Sequence, residues 1–350
     1  MGYRILVPSY TNAISTIEFD PQASTISVVS STEAGHQPSW VTQHPDDPSL
    51  LFAGLEQTEG EVVAIKYDSE WKGEVVARIS SGGADPCSLL AHKAELFVAN
   101  YSSGTVSVLP ISTSPPYFLA DAPTATQLVG SGPNAQRQES SHAHQVYTHN
   151  TLDGVELLVP DLGSDKVWRF GKSDDGSWKI RGHVAYPAGA GPRHVAAHDG
   201  QLFTVLELTN EVAKYKFPLL PGEPQFVASA PTVAKAPPSP HNMLASEILV
   251  PLPNETFPEV LVYVSNRNDP SPEGDAISIY TAEMEQVAEV RTGLNHIRGM
   301  TFGGAGDKWL IAGGVNGGGI AIFERVDGGR QLKKIATKPD LKSPTGFLWV

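Results

Sequence analysis

The sequence predicts an all-β chain folded as a seven-bladed propeller. Three observations carry that expectation. A pattern of short strands and polar turns recurs along the whole length; its copies are spaced by 46 to 57 residues; and the two ends of the chain hold complementary fragments of one further copy.

The copies run as follows. The first joins "QPSWVTQHP", from Gln37, to "SLLFAGLEQTEGEVVAIKYD". The second is "DPCSLLAHKAELFVANYSSGTVSVLPI" from Asp85, and the third is "HAHQVYTHNTLDGVELLVPDLGSDKVWRFGKS" from His142. The fourth, "GPRHVAAHDGQLFTVLELTNEVAKYKF", starts at Gly191, and the fifth, swollen by a proline-rich insertion, starts with "HNMLASEILVP" at His241. The sixth is "RGMTFGGAGDKWLIAGGVNGGGIAIFERV" from Arg298. Each reads strand, turn, strand, polar turn, strand, with the alternation of half-buried strands in "TVSVLP", "AISIY" and "IAIFE". Aligned on Pro38, Pro86, Ala143, Pro192, His241 and Arg298, the next step lands on Pro344 in "SPTGFLWV", a lone first strand. "YRILVPS" and "STIEFD" near the other end supply the strands that would follow it. Pairing them closes the ring and removes its open edges, so the last blade is expected to join the N- and C-terminal strands within one domain, 1–350.

Composition sets the class of partner. The net charge of −13 argues against nucleic acid and anionic membrane surfaces. No apolar run is long enough to span a bilayer, the first residues do not read as a secretory leader, and a single cysteine, Cys87, allows no internal disulfide. A cytoplasmic protein is expected.

In a propeller the first strand of each blade lines the central channel. The start of that strand reads Ser39, Cys87, His142 to His144, Arg193, Asn242, Arg298 and Thr345 around the repeat. The turns after the second strands bring Glu56, Asn100, Asp161, Glu207 and Arg267 to the same mouth. Histidine and carboxylate can move protons, and arginine can fork onto an anion. Plain structural roles compete. Asp161 suits a turn, Glu207 could neutralise Arg193, Arg137 and Glu139 could brace a loop, and His44 and His198 fall on the far face. A single carboxylate can hardly satisfy both Arg193 and Arg267, and the surplus positive charge calls for an anionic small molecule. Glu56, Asn100, Asp161 and Asn242 have the oxygens a calcium ion would use, but arginines at the same mouth would repel it; no metal and no cofactor are expected. There is no GxSxG elbow, HExxH or P-loop.

"RQESSHAHQV", "GAGPRHVAAH", "VLELTNEVAKY", "YVSNRN" and "RGMTFGGAGDKWLIAGG" resemble the seven-bladed-propeller lactonase family, which includes 6-phosphogluconolactonases and 3-carboxy-cis,cis-muconate cyclases, over essentially the whole chain. The resemblance implies a site of one histidine, two arginines and a glutamate at the channel mouth: His142 with its neighbour His144, Arg193, Arg267 and Glu207. Asp161, Asn242, Arg298 and Asn100 are the accompanying candidates for substrate contact. Leu206 stands where the family usually has asparagine before the glutamate. The expected activity is hydrolysis of a sugar lactone, 6-phosphogluconolactone first, with Glu207 activating water and a histidine returning a proton to the ring oxygen. Muconate cyclisation and a non-catalytic binding scaffold are the alternatives, because membership of a fold does not decide chemistry.

Overall fold

The computed structural model describes residues 2–151, 154–238 and 241–350. It contains seven four-stranded antiparallel sheets arranged as a ring. Their inner strands are Pro38–His44, Pro86–His92, Tyr147–Thr151, Pro192–His198, Leu244–Leu249, Asn295–Gly303 and Leu348–Trp349. Six sheets are contiguous in sequence. The seventh pairs Leu348–Trp349 with Tyr3–Val7, through Leu6 opposite Leu348 and Ile5 opposite Trp349, and then continues outward to Ala13–Asp20 and Thr25–Glu33. The ring is therefore closed by the strands expected from the repeat. The Trp349 ring meets Tyr3 edge-on at 5.8 Å, fixing the seam.

Strand alternation explains where the core sits. Successive residues of a strand point to opposite faces, and each face of a blade is covered by a different neighbour. Ile5 packs with Ile311, Ile320 and Ile322 of the sixth blade, whereas Leu6 packs with Leu51, Val63 and Ile65 of the first. Leu261 and Tyr263 likewise turn towards Leu310 and Phe323, while Val262 and Val264 turn towards Phe203 and Val205. Middle strands buried on both faces read as continuous apolar runs, and the outermost strands, such as Thr25–Glu33, carry the polar alternation. Among the described residues no helix is long and apolar enough to cross a membrane.

One irregularity recurs at the start of the inner strands and builds the site. Pro192 pairs with Leu206 and His194 with Val205, so Arg193 is an extra residue in a bulge. Ser39, Cys87 and Arg298 are extra residues in the same way. In the fifth blade Ser246 and Glu247 lie between the pairs Ala245–Asn266 and Ile248–Val264. A bulge re-aims side chains that the pleat would otherwise send between blades, which is how a polar ring can sit on apolar strands. The expectation that Asn242 belongs to this ring needs correcting. The fifth inner strand begins only at Leu244, and Ser246 and Glu247 take the place assigned to Asn242.

Candidate functional site

The fourth blade carries the centre of the site. Gly191 has φ near +65°, a conformation that strains any residue with a side chain, and its own N–H donates to Asp165 (2.8 Å). Its carbonyl accepts the N–H of Glu207 at 2.8 Å, which sets Glu207 beside the bulged Arg193. Three guanidinium groups converge on the Glu207 carboxylate. Arg137 donates to Oε1, Arg267 Nη2 lies 2.7 Å from Oε2, and Arg193 Nε lies 3.2 Å from the same oxygen. The two Oε2 contacts are ion pairs without hydrogen-bond alignment. Arg193 Nη1 donates to the Ser246 carbonyl at 2.5 Å and Nη2 approaches the Arg298 carbonyl at 3.4 Å.

Two expectations are corrected here. Glu207 does reach both Arg193 and Arg267, because both guanidiniums lie against Oε2 while Arg137 takes Oε1. Arg137 is not paired with Glu139: it joins this cluster, while Glu139 Oε1 lies 3.1 Å from His142 Nε2. The surplus charge is larger than the sequence suggested, with three cations against one anion. Arg137 is the accessible member at 33 % side-chain exposure, Arg267 keeps 10 %, and Arg193 and Glu207 have none.

Electrostatics fix the protonation states. Burial alone would raise the Glu207 carboxyl, but Arg267, Arg137 and Arg193 outweigh it and hold the group at about 2. It is a permanent carboxylate and a weak base, which departs from its expected role of deprotonating water. Burial, then repulsion from Arg267, lowers Arg193 to about 10, leaving it charged at neutral pH.

The two candidate histidines occupy different surroundings. His142 stacks on Tyr101 with ring centroids 4.5 Å apart and donates from Nδ1 to the Tyr101 carbonyl at 3.0 Å. Its N–H is held by Asp161. His144 is buried edge-on to Tyr101 at 5.5 Å and to His194 at 5.2 Å, with Nδ1 unpartnered. Burial, reinforced by Arg193, His194, Arg298 and Arg267, holds His144 well below the usual histidine range, so it is neutral near pH 7. It is His144 that stands in the field of the arginines.

The remaining candidates divide. Arg298 is buried, pairs with Glu56 (2.9 Å) and lies 5.2 Å over the Tyr10 ring, while Tyr10 donates to the other Glu56 oxygen at 3.1 Å. Asp161 and Asn100 are fully buried in their own turns and are not placed for substrate contact, although Asn100 Oδ1 has no partner among the described residues. Asp161 accepts from three backbone N–H groups, the Ser164 hydroxyl and the Trp168 indole, while the Asn100 amide bonds Ser81, Thr105 and Ser107. Asn242 is exposed at the rim, in a shallow depression it shares with His241 and Asn268. Among the described residues no cluster of three His, Cys, Asp or Glu side chains is arranged to hold a metal ion.

Several members of the site escaped sequence reasoning. Arg137 sits in a long loop of the third blade with no counterpart in the repeat. His296 rests 3.4 Å from Arg267 and accepts no proton until about pH 4, because burial and then Arg267 disfavour its cation. His194 and Glu247 form a buried pair with Nδ1 to Oε1 at 2.6 Å. The "GPRH" stretch held the signal for His194; Glu247 would have emerged by aligning the fifth copy on Ser246.

Comparison with known proteins follows the same lines. A family model described as "Lactonase, 7-bladed beta-propeller" matches residues 4–349. The 6-phosphogluconolactonase of Bacillus subtilis (strain 168) is 28% identical over 338 residues, covering 93% of this chain and 91% of that protein. Among solved structures, the periplasmic gluconolactonase of Pseudomonas aeruginosa superposes with a TM-score of 0.82 at 21% identity, covering 100% of this chain and 99% of that one. A Lactobacillus plantarum protein gives a TM-score of 0.82 at 22% identity, covering 100% of both chains. At such identities the structural likeness speaks to the fold alone.

Proposed function

We propose that this chain, which belongs to the lactonase family of seven-bladed β-propellers, hydrolyses a sugar lactone at the mouth of its central channel, with 6-phosphogluconolactone the leading substrate. The observation that carries the reading is the convergence of Arg137, Arg193 and Arg267 on the single carboxylate of Glu207, a pocket of positive charge in a protein of net charge −13. The name of the Bacillus subtilis relative supports the choice of a phosphorylated lactone. Such a substrate does not cross membranes unaided, which goes with a cytoplasmic location.

Hydrolysis adds a water oxygen to the lactone carbonyl carbon, passes through a tetrahedral oxyanion and breaks the ring C–O bond. Arg267 and Arg137, the guanidiniums within reach of solvent, hold the anionic substrate and steady the oxyanion. Arg193 and Arg298 lie behind them and add positive potential without touching the substrate. His144, neutral at working pH, takes the proton from the attacking water and returns it to the departing ring oxygen. His142, held by Tyr101 and Asp161, keeps the Tyr101 ring against His144. Glu207 orients the arginine forks.

The test is Arg267→Ala. It is expected to lower kcat/KM for 6-phosphogluconolactone by roughly 100-fold or more while the protein remains folded. An unchanged kcat/KM would remove the cluster from the reaction.

A further inference from the structure

Two buried ring nitrogens at the channel wall have no hydrogen-bond partner: His194 Nε2 and His144 Nδ1. Their rings lie 5.2 Å apart, inclined at 66°. His194 is itself anchored, since its Nδ1 lies 2.6 Å from Glu247 Oε1, and a carboxylate there can only accept. In neutral His194 the proton therefore sits on Nδ1, and Nε2 carries the lone pair. No hydrogen bond joins the two rings, but they are in edge-on contact and both unpartnered nitrogens are sealed from solvent, so a proton on His144 Nδ1 is the electrostatic complement of the His194 lone pair. Glu247 also lines a cavity of about 320 Å³ with Trp40, Gln145 and Tyr147, so the carboxylate end of the dyad borders open space while the two ring nitrogens stay sealed.

We propose that Glu247 and His194 are a positioning dyad for His144, fixing the proton of His144 on Nδ1 and its lone pair on Nε2. This rests on the reading of His144 as the base that activates water. When His144 accepts the water proton on Nε2, the dyad stabilises the resulting imidazolium through its Nδ1–H. Neither Glu247 nor His194 touches the substrate. The other groups facing these rings act in the opposite sense. Arg193, Arg298 and Arg267 disfavour a cation on His144, and Arg193 and Arg298 disfavour one on His194. Around them lie Tyr101, the Trp40 ring and the Cys87 thiol, which donates to the His144 carbonyl at 3.5 Å. Glu247 is thus the anion that offsets the arginines along this path.

The test combines ring-nitrogen NMR with kinetics. In wild-type protein with ¹⁵N-labelled histidine, long-range proton–nitrogen spectra near pH 7 should show both His144 and His194 protonated on Nδ1. Assignments come from His144→Gln and His194→Gln. Glu247→Gln should release the His144 tautomer and lower kcat by roughly tenfold with KM nearly constant. It should also move the acidic limb of kcat/KM to lower pH, because removing an anion disfavours the imidazolium. A purely structural role would lower the melting temperature and leave that limb in place. Should Glu247→Gln not fold, the wild-type spectra decide: a proton on Nε2 of either histidine overturns the dyad. If the wild-type chain opens no lactone, the functional reading fails, while the spectra still decide the dyad.

Discussion

Replacing Glu207 by glutamine removes the one carboxylate that three guanidiniums share, and the cost can be worked from the structure. A fall of the carboxyl from its ordinary 4.5 to about 2 corresponds to about 3 kcal/mol of favourable interaction in the folded state. The variant also leaves Arg193, which has no solvent exposure, without its counter-ion, and breaking a buried pair on one side costs roughly 3–5 kcal/mol. Glu207→Gln should therefore lose about 3–5 kcal/mol at pH 7. That is a drop in urea midpoint of roughly 1–2 M for a slope near 3 kcal/mol per M. The pH dependence has a fixed sign. A group whose folded-state value is depressed stabilises fully above its unfolded value and loses that contribution as pH falls towards its folded value, here between 4.5 and about 2. The gap between wild type and variant should narrow by about 2 kcal/mol from pH 7 to pH 3. Urea unfolding of both proteins at the two pH values measures this. Equal midpoints at pH 7, or a gap indifferent to pH, would refute the three-arginine anchor.

Arg137→Ala, which removes a partly exposed cation and the donor to the buried Glu207 Oε1, should raise KM for a phosphorylated lactone by about tenfold or more and cost about 1–3 kcal/mol of stability; steady-state kinetics and a melt check both. Deleting 344–350 removes the strand that closes the ring and the Trp349 contact with Tyr3, and should lower the melting temperature by roughly 5 °C or more. An unchanged melt would mean the seam contributes nothing. Asp161→Asn should destabilise the turn that holds His142 and leave KM unaffected, since Asp161 is sealed from the channel. Burial pushes the Cys87 thiol up to about 12, so iodoacetamide at pH 8 should modify it only after unfolding, as read by mass spectrometry.

The architecture was legible in the sequence because a repeat advertises itself. Each copy brought its own strands and turns, and Pro344 to Val350 declared which blade was divided. The site was legible only in part. Arg193, Glu207 and Arg267 fall at repeat-equivalent positions, so their convergence follows from the ring. Asp161 and Asn100 stand at equivalent positions too. Whether such a side chain faces the channel or folds back onto its own turn depends on local hydrogen bonds, and for Asp161 five donors decided the matter. Asn242 was misplaced because aligning the fifth copy on His241 set it ahead of the inner strand, which begins at Leu244, and this hid Glu247. Arg137 was hidden for a different reason: it reaches Glu207 from a loop outside the repeat, and periodicity carries no information about where such a loop goes. The short sequence distance to Glu139 suggested a pair that the fold does not make.

The central claim is that the arginine-lined mouth opens a lactone ring. Proton release from 6-phosphogluconolactone, with and without the wild-type protein near neutral pH, measures it most directly, run beside glucono-1,5-lactone and a 3-carboxy-cis,cis-muconate absorbance assay. Hydrolysis well above the spontaneous rate is expected, with the phosphorylated lactone the better substrate. Spontaneous rates for both lactones, or muconate cyclisation in their place, would contradict it.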